Sequence, residues 1–139
     1  MTYELKKAKE LLDGSNVSLV YVKNGITYTS IDRGVSPLLK ILDEREDMAD
    51  AVFADKVIGK GAAFIYVLLG VREIYAKVIS TPAKELLLSH GISLFFDTET
   101  KNVRNRAGTD LCPIESAVLF ESDPKKALSL IRKRLNELK

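Results

Sequence analysis

The chain has 139 residues, 46% hydrophobic and 29% charged, with a formal net charge of +2. That suits one soluble domain, residues 1–139, with enough length to bury a proper core. The basic residues are dispersed apart from a short run at Arg132, Lys133 and Arg134, so nucleic acid is not indicated and no membrane surface is invoked. A single cysteine cannot form an internal disulfide, which favours a reducing, cytoplasmic setting.

In chain order, Leu5, Ala8, Leu11 and Leu12 recur at helical spacing until Asp13-Gly14. The start is charged and amphipathic rather than the uninterrupted apolar run of a signal peptide. VSLVYVK and ITYTSI flank Asn24-Gly25. That dipeptide between two β-type runs predicts an antiparallel hairpin, because a type I′ turn needs positive φ at both central positions. A helix around 36–45 follows, then the apolar strand DAVFADKVI and a buried helix in GKGAAFIYVLLG, which is too short to cross a bilayer. EIYAKVIS predicts strand four, TPAKELLLSHG a helix closed by Gly91, and ISLFF strand five. A polar, irregular stretch is expected over 97–111. A short helix begins at Pro113, and a last amphipathic helix carries Ala127, Leu128, Ile131, Leu135 and Leu138.

Alternating strands and helices with short loops imply right-handed parallel crossovers. The expected fold is α/β: three α/β/α layers on a five-stranded mixed sheet of order 2-1-3-4-5, strand one antiparallel to the rest. Phe53, Phe64, Phe95 and Phe96 read as core rather than a base-stacking platform. DEREDMAD reads as a solvated loop or helix end.

The four prolines follow Ser36, Thr81, Cys112 and Asp123, each at a predicted helix start. Proline suits the first helical turn, and the residue before it is the expected N-cap. Cys112 is a poor cap. With Glu115 three positions on, it has the spacing of a capping box in which sulfur replaces a hydroxyl. On one reading Glu115 caps the helix backbone and Cys112 is a small buried residue. On the other, a thiol at a helix N-terminus feels the positive end of the dipole and Glu115 carries a proton, which makes Cys112 and Glu115 the candidate catalytic pair. Arg104, Asn105 and Arg106 lie just upstream as candidate ligand-binding residues.

Gly59, Lys60 and Gly61 stand between a strand and a helix start. Glycines there let backbone N–H groups approach an anion whose charge Lys60 meets, or they simply permit close packing. The run lacks the spacing of a P-loop or a dinucleotide fingerprint. His90, the only histidine, sits at a helix C-terminus and reads as structural. One His and one Cys at opposite ends of the layers offer neither a zinc site nor a nucleophile–base pair.

The succession of elements resembles the cytidine deaminase-like fold. More closely, ADKVIGKGAA, IYAKVISTP and NRAGTDLCPIE with the following SAV resemble the family known as domain of unknown function 1893, over most of residues 15–120. The resemblance implies a deaminase-type layered fold and brings no known activity. Active deaminases place His-x-Glu or Cys-x-Glu at the helix after strand three and Pro-Cys-x-x-Cys at the next helix start. This chain reads GKGAA at the first position, and at the second it keeps Pro82 but has Ala83 and Leu86 for the cysteines. The expectation is therefore a protein with no metal and no cofactor, binding a small anionic or nucleotide-like ligand at the helix N-terminal edge of the sheet. The alternative is a non-catalytic interaction or regulatory module, and the possibility of a homo-oligomer stays open.

Overall fold

The computed structural model describes residues 1–32, 34–44, 46–103 and 112–138. Helix α1 (Tyr3–Gly14) leads into β1 (Leu19–Lys23) and β2 (Ile26–Ser30), then α2 (Ser36–Asp43), β3 (Val52–Ile58), α3 (Lys60–Leu69), β4 (Glu73–Ser80), α4 (Thr81–Ser89), β5 (Ser93–Thr100), α5 (Pro113–Ala117) and α6 (Pro124–Glu137). The sheet has the expected order β2-β1-β3-β4-β5. β1 is antiparallel to β2 and β3, and β3, β4 and β5 are parallel. Asn24 and Gly25 both have positive φ, 53° and 75°, as a type I′ hairpin requires.

The two faces of the sheet are covered unequally. Helix α1 alone packs Leu5, Ala8 and Leu12 against Val20, Val52, Ala54 and Tyr75. Its N-cap Thr2 also donates its hydroxyl to Glu73 Oε1 at 2.7 Å, tying the helix to the start of β4. The larger core lies on the opposite face, where Phe53, Ile74, Ala76 and Ile79 meet the buried helix α3 and the flanking α2, α4 and α6. Among the described residues no helix is long and apolar enough to cross a membrane.

Several boundaries differ from the reading of the sequence. β5 runs on to Thr100, because the polar run Asp97–Thr100 still pairs with β4 through its backbone while its side chains meet water. Phe95 is only partly buried and Phe96 is 38% exposed, since β5 is an edge strand. Leu138 lies past the end of α6 and is exposed, and Leu11 faces outward. At α4 the cap is Ser80, not Thr81, and at α2 Val35 precedes a helix that already includes Ser36. Cys112 and Asp123 hold the expected N-cap positions.

Candidate functional site

β3 ends at Ile58, and Gly59 turns the chain into α3 as an extended N-cap with no side chain to offer. The first N–H groups of α3 therefore need an acceptor from elsewhere. It comes from α5. Glu115, 2% exposed, takes the backbone N–H of Lys60 on Oε2 at 2.6 Å, with the Gly61 N–H adding to the set. Its Oε1 accepts the hydroxyl of the fully buried Ser80 at 3.2 Å, and Ser80 in turn caps α4 by accepting from Ala83 N. One carboxylate thus joins three helices. Burial pushes the Glu115 carboxyl up from its ordinary range, and the hydrogen bonds from Lys60, Ser80 and Gly61 pull against that shift. Glu115 does not close a capping box on its own helix.

The glycines follow from this docking. A Cβ on Gly59 would stand 2.6 Å from Glu115 Oε2, and one on Gly61 would stand 2.6 Å from Ile114 Cγ2. Both distances are below any real contact, so the GKG run admits α5. Lys60 turns its ammonium away, donating to the Leu119 carbonyl at 2.8 Å with Phe64 5.7 Å beneath it. The anion beside the α3 N-terminus is the chain's own.

A cleft of about 670 Å³ opens alongside. Its walls come from four places: Ser18 and Leu19 leading into β1, the β2–α2 connection with Ile31 and Asp32, the second half of β3 from Asp55 to Val57, and Cys112 to Glu115. It lies at the carboxyl end of a parallel strand beside a helix start, where open α/β sheets hold their ligands. Gly59, Gly61, Cys112 and Glu115 all line it, while Lys60 does not. Arg104, Asn105 and Arg106 lie outside the described residues. Cys112 is half-buried, packs against the core and makes no side-chain cap bond. Its five-residue helix supplies little dipole. His90 is exposed at the end of α4, with Nδ1 3.0 Å from the Leu86 carbonyl, and does not line the cleft.

Asp55 is the residue that sequence reasoning missed. It stands on β3 opposite Leu19 and Ala76, lines the cleft, and accepts the hydroxyl of the fully buried Tyr66 on Oδ2 at 2.7 Å. Burial pushes its carboxyl from an ordinary 3.8 up to about 7, against the lowering effect of the Tyr66 hydrogen bond. The signal was an acid in the middle of an apolar, doubly flanked strand.

The deaminase resemblance puts zinc ligands at the starts of the helices that follow β3 and β4. The starts of α3 and α4 carry Lys60, Gly61, Pro82, Ala83 and Leu86, and the carboxylate between them is engaged by N–H and O–H donors. Among the described residues no three His, Cys, Asp or Glu side chains converge to hold a metal ion. The donor set does not fit zinc.

A sequence model of the family described as Domain of unknown function (DUF1893) matches residues 7–135. The crystal structure of a DUF1893 family protein from Thermotoga maritima is similar over 99% of this chain and 91% of that one, with 30% identity and a TM-score of 0.84. The dCMP deaminase of cyanophage S-TIM5, in apo form, is similar over 70% of this chain and 94% of its own, at 16% identity and a TM-score of 0.45. A diaminohydroxyphosphoribosylaminopyrimidine deaminase/5-amino-6-(5-phosphoribosylamino)uracil reductase from Thermotoga maritima is similar over 83% of this chain and 40% of its own, at 13% identity and a TM-score of 0.46. No curated protein matches the chain.

Proposed function

The chain belongs to the DUF1893 family, and from that premise we propose that the cleft beside α3 and α5 binds a small organic molecule without a metal ion. The observation that carries this reading is a cleft of about 670 Å³ at the carboxyl end of β3, with the carboxyls of Asp55 and Glu115 in its wall. Small-molecule sites are concave, largely apolar and carry a few convergent polar groups. Carboxyls displaced from their ordinary range mark such sites more often than chance, and both of these are raised by burial.

The described walls support one charge for the ligand over another. Among the described residues, the charged lining side chains are Asp32, Asp55 and Glu115 against Lys56 alone, and the α3 N-terminus is already occupied by Glu115. These walls support a ligand that offers hydrogen-bond donors. An anionic or nucleotide-like ligand draws instead on Arg104 and Arg106, which lie outside the described residues.

A thermal-shift screen of nucleobases, nucleosides, nucleotides, amines and phosphorylated metabolites tests the proposal, because a ligand that binds only the native state raises its stability. Binding should raise the melting temperature in the presence of EDTA as well as in its absence. Val57→Trp, at a 48% exposed position in the cleft wall, should abolish the shift while leaving the unliganded protein folded. Failure of every compound class, or a shift that survives Val57→Trp, overturns the reading.

A further inference from the structure

We infer that Asp55 is the recognition group of this cleft, held in place by Tyr66, and that it selects a ligand bearing a cationic or hydrogen-bond-donating nitrogen edge, such as an amidine, an amine or an amino-heterocycle. This deepens the reading above and rests on it.

Tyr66 is 0% exposed, so its hydroxyl needs a partner inside the protein. That partner is Asp55 Oδ2 at 2.7 Å. The tyrosine ring is itself fixed, meeting Phe53 edge-on at 5.2 Å while Phe53 stacks on Tyr21 at 4.9 Å. One carboxylate oxygen is thereby oriented from behind. The other accepts the Val57 N–H at 3.4 Å, near the limit of a hydrogen bond, and the Lys56 N–H adds a further weak backbone contact to the carboxyl. A carboxylate offers about four acceptor positions, so Asp55 keeps acceptor capacity in the wall of the cleft.

No described ion pair involves Asp55. The polar and charged residues that line the cleft with it are Asn16 and Ser18 before β1, Asp32 from the β2–α2 connection, Cys112 and Glu115 at α5, and Lys56 on its own strand, with Tyr66 of α3 buried behind it. Apart from Lys56 these are neutral or acidic, so the described walls present a negative field that favours a cation. A guest cation would supply the charge partner that no described residue supplies. Its binding would also draw off the proton that burial leaves on Asp55 near neutral pH.

Benzamidine, benzamide and benzoate share a ring and a planar head and differ in charge and donors. Titrating each into ¹⁵N-labelled protein at pH 8, followed by amide chemical shifts, separates the outcomes. The expected order of affinity is benzamidine first, benzamide second and benzoate last, with shifts centred on Asp55–Gly61 and Cys112–Glu115. Asp55→Asn keeps an acceptor for Tyr66 and should weaken benzamidine about tenfold, as loss of a charge-assisted hydrogen bond does, while moving benzamide less than about threefold. Tyr66→Phe, which removes the hydroxyl that orients the carboxylate, should weaken benzamidine about threefold. For the wild type, benzamidine affinity should rise between pH 6 and pH 8 and flatten above, a slope absent from Asp55→Asn. Preference for benzoate, or benzamidine binding indifferent to Asp55→Asn, overturns the assignment to Asp55 and leaves the cleft reading standing. Absence of any cleft shift with all three overturns both.

Discussion

Two acidic side chains, Glu115 and Asp55, share the wall of one cleft, and their surroundings differ. Glu115 accepts from the Lys60 N–H, the Gly61 N–H and the Ser80 hydroxyl. Its acceptor capacity is spent on joining α5 to the starts of α3 and α4. Among the described residues Asp55 has one good partner, the Tyr66 hydroxyl, and weaker ones in the backbone N–H groups of Val57 and Lys56. Burial raises the proton affinity of both. The difference separates a carboxylate whose acceptor positions join helices from one that keeps acceptor capacity in the cleft wall, and it predicts opposite effects of mutation. Removing Glu115 should cost stability. Removing the charge of Asp55 should raise it above that of the wild type at pH 8.

The largest effect is expected at Glu115. Glu115→Ala leaves the Lys60 and Gly61 N–H groups and the Ser80 hydroxyl without their acceptor and opens a void among buried atoms, at a cost of about 2–4 kcal/mol. Urea unfolding should show the loss in the midpoint, with Glu115→Gln intermediate because the amide oxygen keeps one acceptor. An unchanged midpoint for the alanine variant would break the distinction between the two carboxylates.

Asp55 should move in the other direction. Its raised value means that, between the ordinary carboxyl range near 3.8 and about pH 7, the native state binds the proton more tightly than the unfolded chain. Stability then falls as pH rises through that window and is level above it. Asp55→Asn removes this slope and should leave the variant more stable than the wild type at pH 8 by about 1–3 kcal/mol. Glu115 has the same sign, so a smaller slope should persist in the variant. A pH series of melting curves for both proteins measures the difference. A variant less stable than the wild type at pH 8 would mean that Asp55 contributes more to the scaffold than its hydrogen bonds indicate. Gain of stability together with loss of benzamidine binding is the trade-off expected of a functional group.

Gly61→Ala tests the docking of α5 from the other side. In an open helix the change would help by about 0.5–1 kcal/mol. Here the new Cβ meets Ile114 Cγ2 at 2.6 Å, so α5 must shift, and a net loss of about 1–2 kcal/mol is expected. Gly14→Ala, at the end of α1 with nothing within 4 Å, is the matched control and should be neutral or slightly stabilising. Equal behaviour of the two variants in chemical unfolding would remove the steric reason for the GKG run.

The layout of elements was legible because local chemistry carried it. Asn24-Gly25 admits few conformations other than the hairpin turn, and the apolar strands β3 and β4 with short connections leave little choice but parallel crossovers. The need for glycine at 59 and 61 was legible too, but its cause was not. The atoms that crowd those positions belong to Ile114 and Glu115, 53 and 56 residues further along the chain, and local pattern is silent about a docking between distant segments. An anion at the α3 N-terminus was a sound inference from helix electrostatics, and the chain supplies that anion internally. Lys60 looked like its counter-ion and instead caps the Leu119 carbonyl. Asp55 escaped notice because a single acid in an apolar strand breaks no periodicity. Its meaning depends on Tyr66, which helix α3 carries over it eleven residues later.

The smallest effect is expected at Cys112. The thiol lines the cleft and packs against the core, with no hydrogen bond from its sulfur to the helix it precedes. Its backbone holds the position: the N–H donates to the Val103 carbonyl at 3.0 Å, and the carbonyl accepts from Ser116 N at 2.9 Å. Cys112→Ser keeps both bonds. The hydroxyl can accept an orphan N–H of α5 better than sulfur does, a gain of up to about 1 kcal/mol, and it gives back part of that by removing a polarisable group from apolar neighbours. The two nearly cancel, so stability should change by less than about 0.5 kcal/mol. Benzamidine affinity should also stay within about twofold, since recognition is assigned to the far wall. Iodoacetamide supplies the complementary measurement: the folded protein should react through the cleft, and saturating benzamidine should slow that reaction. A Cys112→Ser variant that stays folded yet loses ligand binding by tenfold or more would move the recognition group from β3 to the start of α5.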